Sequence, residues 1–169
     1  AANKGGRAAH GKFRALILSF IESQDFSKLA PRTQADMRRS IYHAANGIDV
    51  KFGDAPLGAF EDPRIRAQAL EWRDQIGSKV GDDRLRHLQR IVGFGYDRGR
   101  IKLHHLRGVK SVYTSKRSEI FWLPDEIARF EAKAPAHIAR ILSIALETGL
   151  RPGDLNRLSL EHVQRTPNG

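Results

Sequence analysis

The 169-residue chain is predicted to be all-α, and three features of its sequence indicate this. Apolar residues recur at spacings of three and four along most of the chain, which is the period of an amphipathic helix. Prolines and glycines stand at the expected starts and ends of these segments. No stretch alternates apolar and polar residues as a half-buried strand would. The helices are expected to form two lobes.

Two helices are predicted at the start of the first lobe. The first covers about residues 11–23, and its apolar residues recur at helical spacing: Phe13, Leu16, Ile17, Phe20 and Ile21. The second opens at residues 31–33, with Thr33 as the capping residue and Asp36 completing a capping box. Its buried stripe is predicted to comprise Met37, Ile41, Ala44 and Ala45, and residues 46–47 (Asn-Gly) are expected to end it.

Two longer helices are predicted to complete this lobe. The third begins near Asp62-Pro63, where the aspartate can cap and the proline can take the first helical position, and it stops at Gly77. Its inward side chains are predicted to be Ile65, Ala69, Trp72 and Ile76. The fourth runs from about Asp82 to Tyr96 and should bury one face, formed by Leu85, Leu88, Val92 and Tyr96.

The second lobe is predicted to hold three helices. The first begins at Pro124-Asp125-Glu126 and is expected to bury Ile127 and Phe130. Residues 136–147 are apolar on most sides, which indicates a core helix of something larger. A last short helix is predicted from Pro152 to about Leu158.

Charge divides the chain in the same way. The 29 lysines and arginines against 19 aspartates and glutamates give a net charge of +10, which favours a polyanionic partner. Residues 1–105 carry +7, residues 106–118 carry +4, and residues 119–169 carry −1. We therefore predict a loose basic arm or expression remnant at 1–10, a helical DNA-binding domain at 11–105, a basic linker at 106–118 and a second domain at 119–169.

The composition also limits which cellular compartments and which metal sites are expected for this protein. The absence of cysteine excludes disulfides and thiolate metal sites. The longest apolar stretch, within residues 138–146, is too short to span a bilayer, so a cytoplasmic protein with no membrane partner is expected. Adjacent histidines His104 and His105 are not expected to bind a metal, because such a site needs further ligands at fixed geometry.

Double-stranded DNA is the predicted partner, and self-association on the DNA is left open. Arginines that lie off the apolar stripes of the second and fourth helices, together with the linker cations, are expected to contact the phosphate backbone. For any single arginine, a solvated charge remains an equal alternative. The predicted contact residues are Arg32, Arg38, Arg39, Arg86, Arg90, Lys110, Lys116 and Arg117.

The segment Thr148-Gly149-Leu150-Arg151-Pro152-Gly153-Asp154-Leu155 carries the most specific pattern. Gly149 can close one helix in the left-handed conformation, and Pro152 can open the next. Arg151 then lies in a short rigid turn, where a nearby acid, Asp154, could brace it and its guanidinium could bind a phosphate. An arginine that only caps the carbonyls of the preceding helix is the alternative.

This segment, followed by Leu158, resembles the first catalytic-arginine box of the tyrosine recombinases (the phage-integrase family), in which Thr-Gly-Leu/Met-Arg precedes an acid by three residues. The order of other motifs agrees, because the family has a Pro-acid-Glu helix start upstream, like Pro124-Asp125-Glu126, and a small helical domain ahead of it. Segments that resemble that domain are the helix of Thr33, residues 52–57, Trp72-Arg73-Asp74 and Arg98-Gly99-Arg100-Ile101.

The resemblance implies a small helical, SAM-like core-binding bundle followed by the leading helices of a catalytic domain. It also implies DNA breakage and rejoining through a 3′-phosphotyrosyl link, without metal or nucleotide cofactor. Arg151 would be the first phosphate-binding arginine, and Asp154 would hold its turn. No lysine follows Lys133, and every tyrosine (Tyr42, Tyr96 and Tyr113) precedes Arg151, so the chain is expected to be an inactive fragment of the enzyme.

Three functional classes therefore remain open. The chain is expected to be the DNA-binding fragment of a site-specific recombinase. The alternatives are a non-enzymatic helical DNA-binding protein, which includes a degenerate integrase remnant, and an all-α interaction module whose basic charge is incidental.

Overall fold

The computed structural model describes residues 11–115 and 121–162, and these are all-α. Within those ranges there is no strand, and a single isolated bridge pairs Lys12 with Pro56. The described helices are α1 (Phe13–Ile21), α2 (Gln24–Ser27), α3 (Pro31–Tyr42), α4 (Ile48–Phe52), α5 (Arg64–Ile76), α6 (Ser78–Asp97), α7 (Pro124–Lys133), α8 (Ala136–Thr148) and α9 (Pro152–Leu155). Two short 3₁₀ helices, Leu57–Glu61 and Leu160–His162, accompany them.

The chain divides into two compact units between Thr114 and Ser115, a position inside the predicted linker. The residues that follow α6 pack on the first unit rather than running free. Ile101 and Leu106 are buried there. The ring nitrogen Nε2 of His104 lies 3.2 Å from the Gln89 carbonyl oxygen, and that of His105 lies 3.0 Å from the Glu61 carbonyl oxygen.

The first unit is built around one hydrophobic core to which α1 through α6 all contribute. Most residues of the predicted stripes of α1, α5 and α6 lie in it, including Phe13, Ala69 and Leu88. Ile21 and Ile76 are only partly buried against it. Aromatic rings fill its centre: Phe13 stacks on Phe60 with ring centroids 4.1 Å apart, and Phe52 meets Trp72 edge-on at 5.2 Å. Close packing of this kind fixes α3 against α6 and so sets the distance between their charged faces.

The start and end of α3 differ from the sequence prediction. The helix begins at Pro31 because proline supplies a preset backbone angle at the first position, so Thr33 lies inside the first turn and makes no capping hydrogen bond. Asp36 pairs instead with Arg39 on the next turn, at 2.9 Å. The helix ends at Tyr42, where the backbone of His43 becomes extended, and the predicted buried residues Ala44 and Ala45 are exposed.

The junction between α5 and α6 is shorter than predicted. Gly77 alone separates the two helices, with φ at 108°, a value that L side chains rarely adopt. α6 starts directly after Gly77, at Ser78 rather than near Asp82. The prediction from the sequence missed the beginning of the helix because its first turns are mostly polar and show no apolar period. At its other end Tyr96 is exposed rather than buried. α5 begins at Arg64, whose backbone N–H donates to Asp62 at 2.8 Å.

The second unit has helices but no buried side chain among those described. Ile127 and Phe130 are half-buried rather than buried, and Ile138, Ile141 and Leu146 on α8 are exposed. The last helix, α9, ends at Leu155 instead of Leu158.

Neither described range contains a helix that is both long enough and apolar enough to cross a membrane.

Candidate nucleic-acid interface

A groove of about 440 Å³ separates α3 from α6 on the surface of the first unit. Its two walls are a face of α3 and a face of α6, which lie about fifty residues apart in the sequence and are held together by the hydrophobic core. Four cationic side chains line it: Arg39, Lys79, Arg84 and Arg86. Two carboxylates, Asp36 and Asp83, also reach it. The local balance is therefore positive, as expected of a surface that attracts a phosphate backbone.

Three of these cations are held by exposed ion pairs. Arg39 binds Asp36 at 2.9 Å, and Asp83 binds Arg86 at 3.0 Å and Lys79 at 3.3 Å. Exposed pairs of this type contribute about 0.2–1 kcal/mol each. A phosphate oxygen can therefore replace the carboxylate as the partner of Arg39 or Arg86 at low cost.

The fourth cation, Arg84, is buried, with 6% of its surface exposed. Its Nη1 atom donates to the Asn46 backbone oxygen at 3.1 Å and to the Asn46 side-chain oxygen Oδ1. Among the described residues it forms no ion pair with a carboxylate. Burial lowers the pKa of Arg84 from its ordinary value. Arg84 was not among the contact residues predicted from the sequence. Its position was an available signal, because it directly precedes Leu85 and lies one helical turn before Leu88, two residues of the predicted buried face.

His87 connects the two walls of the groove. Its Nδ1 atom lies 2.9 Å from the Oγ of Ser40 on α3, and both side chains line the groove. Burial is the largest effect on the His87 imidazole and lowers its pKa; the carboxylates of Asp83 and Asp36 oppose this shift, while the arginines Arg86 and Arg90 add to it, and the net direction is downward. The imidazole is therefore mainly neutral at pH 7.

The structure brings together only some of the predicted DNA-binding residues. Arg39 and Arg86 share the groove, whereas Arg90 lines a separate hollow with Asp25, Lys28 and Asp97. Arg32 is exposed on α3, and the guanidinium carbon of Arg38 lies 4.9 Å from the Phe26 ring centroid. The predicted contacts Lys116 and Arg117 lie outside the described residues.

Lys110 is anchored beside the N-terminal part of α6. Its backbone oxygen accepts from Nη1 of Arg73 at 3.4 Å. The next residues are fixed by the buried carboxylate of Asp82, whose Oδ2 accepts from Ser111 Oγ, from Val112 N at 2.9 Å and from Tyr113 N at 2.8 Å. Lys79 lies 5.9 Å from the Tyr113 ring centroid, so this segment passes the end of α6 that lines the groove.

In the second unit, the turn around Arg151 has the predicted backbone. Gly149 ends α8 in the left-handed conformation with φ at 65°, Thr148 Oγ1 accepts from Leu150 N at 3.3 Å, and Arg151 is the extended residue before Pro152. The Arg151 side chain is exposed. Within the described ranges neither it nor Asp154 makes a side-chain hydrogen bond or ion pair, so the expected brace between them is not formed.

No group of three or more His, Asp or Glu side chains in the described parts of the chain is arranged to hold a metal ion. Comparison with known proteins gives no match to a family model, to a curated protein or to a solved structure.

Proposed function

We propose that the chain binds double-stranded DNA through the face of the first unit that contains the α3/α6 groove. The observation that carries this proposal is the convergence of Arg39, Lys79, Arg84 and Arg86 on one groove. Contacts of this kind bind the phosphate backbone and place the duplex without reading its sequence. The exposed Lys110, whose neighbours Ser111 to Tyr113 are bound by Asp82 on α6, is proposed to add a further phosphate contact.

The test is a double charge reversal, Arg39→Glu with Arg86→Glu, and duplex binding measured by fluorescence anisotropy over a series of salt concentrations. We expect at least tenfold weaker binding. The plot of log K against the logarithm of the salt concentration should also become less steep, with a slope smaller in magnitude by about 2, because two phosphate contacts are lost. The matched control is Lys51→Glu with Arg64→Glu, which makes the same charge change at exposed positions that do not line the groove. Equal loss in both variants would contradict the proposed face.

We further propose that the chain is part of a tyrosine recombinase, which breaks and rejoins DNA through a phosphotyrosyl intermediate. The support is the motif around Arg151 together with its backbone: a left-handed Gly149, an extended Arg151 and a helix that opens at Pro152. An exposed guanidinium on such a turn is available to a scissile phosphate. The positive charge of the groove and the exposed Arg151 on this turn are independent features, and both favour DNA as the substrate.

The gene beyond the Gly169 codon tests the enzymatic part. A recombinase requires a lysine, a His-x-x-Arg motif and a tyrosine to be encoded there, in that order. Their absence would reject the enzyme and leave a DNA-binding protein without catalytic activity, for which the anisotropy experiment remains decisive.

A further inference from the structure

Among the described residues of the first unit, Arg84 differs from the buried cation Arg73 by having no counter-ion. Arg73, equally buried, binds Asp74 at 2.7 Å and lies 3.9 Å from Asp82. Arg84 has only the neutral oxygens of Asn46 as partners among the described residues. A buried charge without an opposite charge is unfavourable, and such groups in proteins are normally paired or bind an ion.

The surroundings of Arg84 supply the remaining features of an anion site. Arg39, Arg86 and Lys79 raise the positive potential of the groove from the solvent side. Ser40 and His87 contribute a hydroxyl and an imidazole at its wall. A tetrahedral phosphate group matches this set, because a guanidinium can donate two parallel hydrogen bonds to its oxygens. The hydroxyl of Ser40 can donate another when Nδ1 of His87 carries the ring proton and donates to the Ser40 oxygen.

We infer that the α3/α6 groove is a site for one phosphate group and that Arg84 is its buried anchor. The inference rests on the proposed function for the source of the phosphate, a backbone phosphodiester of duplex DNA. It adds that one phosphate is bound at a fixed position, whereas Arg39 and Arg86 alone would attract the backbone only diffusely. The binding of this group would supply a counter-ion for Arg84, which has none among the described residues.

Val80 offers a test that leaves Arg84 in place. It lies one helical turn before Arg84 on α6, lines the groove and is 51% exposed. Val80→Glu would place a carboxylate four residues before the guanidinium, the favourable orientation for a helical ion pair. The carboxylate would then take the position of the phosphate. Val80→Gln has the same shape without charge, and Val50→Glu introduces the same charge at an exposed valine on α4, outside the groove.

Two measurements follow from this. In chloride buffer without phosphate, Val80→Glu should raise the Tm above that of Val80→Gln by about 3 °C or more, because it neutralises Arg84. Sodium phosphate should raise the Tm of the wild-type chain above that in sodium chloride of equal ionic strength, and this increase should vanish in Val80→Glu. Duplex DNA should bind Val80→Glu at least tenfold more weakly than Val50→Glu.

The outcomes separate the inference from the proposed function. If Val80→Glu neither gains stability over Val80→Gln nor binds DNA more weakly than Val50→Glu, Arg84 is not a phosphate anchor, whatever the Arg39/Arg86 variants show. If phosphate stabilises the wild type but the two glutamate variants bind DNA equally, the site takes free phosphate, and the assignment to the DNA backbone is wrong.

Discussion

At the scale of single residues, Asp82 shows how one buried carboxylate fixes a basic segment. Its oxygen accepts from Ser111, Val112 and Tyr113, so the chain after Lys110 is held against α6. Burial alone would raise the pKa of the Asp82 carboxyl. The three hydrogen bonds and the nearby Arg73 outweigh that effect and lower the pKa below its ordinary value.

A lowered pKa in the folded state makes the stability from Asp82 depend on pH. The contribution is fully present above the pKa of the unfolded chain, about 3.9, and is lost as the pH falls through the lower folded value. We expect Asp82→Asn to reduce the free energy of unfolding by about 2–3 kcal/mol at neutral pH, since hydrogen bonds to a charged group are lost. The difference from wild type should shrink below about pH 4.

Urea unfolding of both proteins between neutral and acidic pH measures this difference. Asp83→Asn is the control, because Asp83 is the next residue on α6 and its described ion pairs, with Lys79 and Arg86, are exposed. Its effect on the free energy of unfolding should stay within about 0.5 kcal/mol. A difference for Asp82→Asn that stays constant down to the lowest pH would refute the role assigned to its ionised form.

At the scale of elements, the approach of α5 to α6 depends on Gly81. A Cβ atom there would lie 2.3 Å from the Arg73 backbone oxygen, closer than real Cβ contacts allow. The two helices are joined by Gly77 alone and cross immediately after it, so neither backbone can move away freely. A small residue at position 81 is therefore a requirement of packing rather than of backbone conformation.

Gly81→Ala should lower the free energy of unfolding by about 1–3 kcal/mol, the usual cost of overpacking. The comparison is Gly58→Ala in the first 3₁₀ helix, where a Cβ would meet no atom within 4 Å. Chemical denaturation midpoints of the two variants measure the effect. Equal midpoints would show that the helices separate without cost at this crossing.

At the scale of the whole molecule, the burial of side chains is uneven. Every buried side chain of the described residues belongs to the first unit, between Phe13 and Leu106. The second unit keeps an exposed apolar face on α8, which includes Ile138, Ile141 and Ile144. Since buried apolar contacts resist local opening, the two units should differ strongly in their protection from exchange.

Hydrogen–deuterium exchange of the intact chain tests this difference. Peptides from α3, α5 and α6 should retain protons far longer than those from α7 and α8, because the buried side chains among the described residues pack around the former. Addition of duplex DNA should slow exchange further around the α3/α6 groove. Equal protection of α6 and α8 in the free chain would be inconsistent with the burial described above.

Much of the architecture was determined by the sequence itself. The all-α content, the buried stripes of Met37/Ile41 and Leu85/Leu88, and the turn from Gly149 to Pro152 follow from periods and backbone preferences that act within a few residues. Such local signals do not depend on which helices pack together. Local signals also misplaced the start of α6, because the first turns of that helix carry no apolar period that could reveal them.

Only the tertiary structure decided which charges meet. It placed Arg39 and Arg86 in one groove but Arg90 in another hollow, and it brought Asp82 to Tyr113. It also buried Arg84 with no carboxylate partner in the part of the chain that the structure describes. These relations join residues about thirty to fifty positions apart. Helical periodicity indicates which face of a helix is polar, whereas the neighbour of that face is set by packing against the common core.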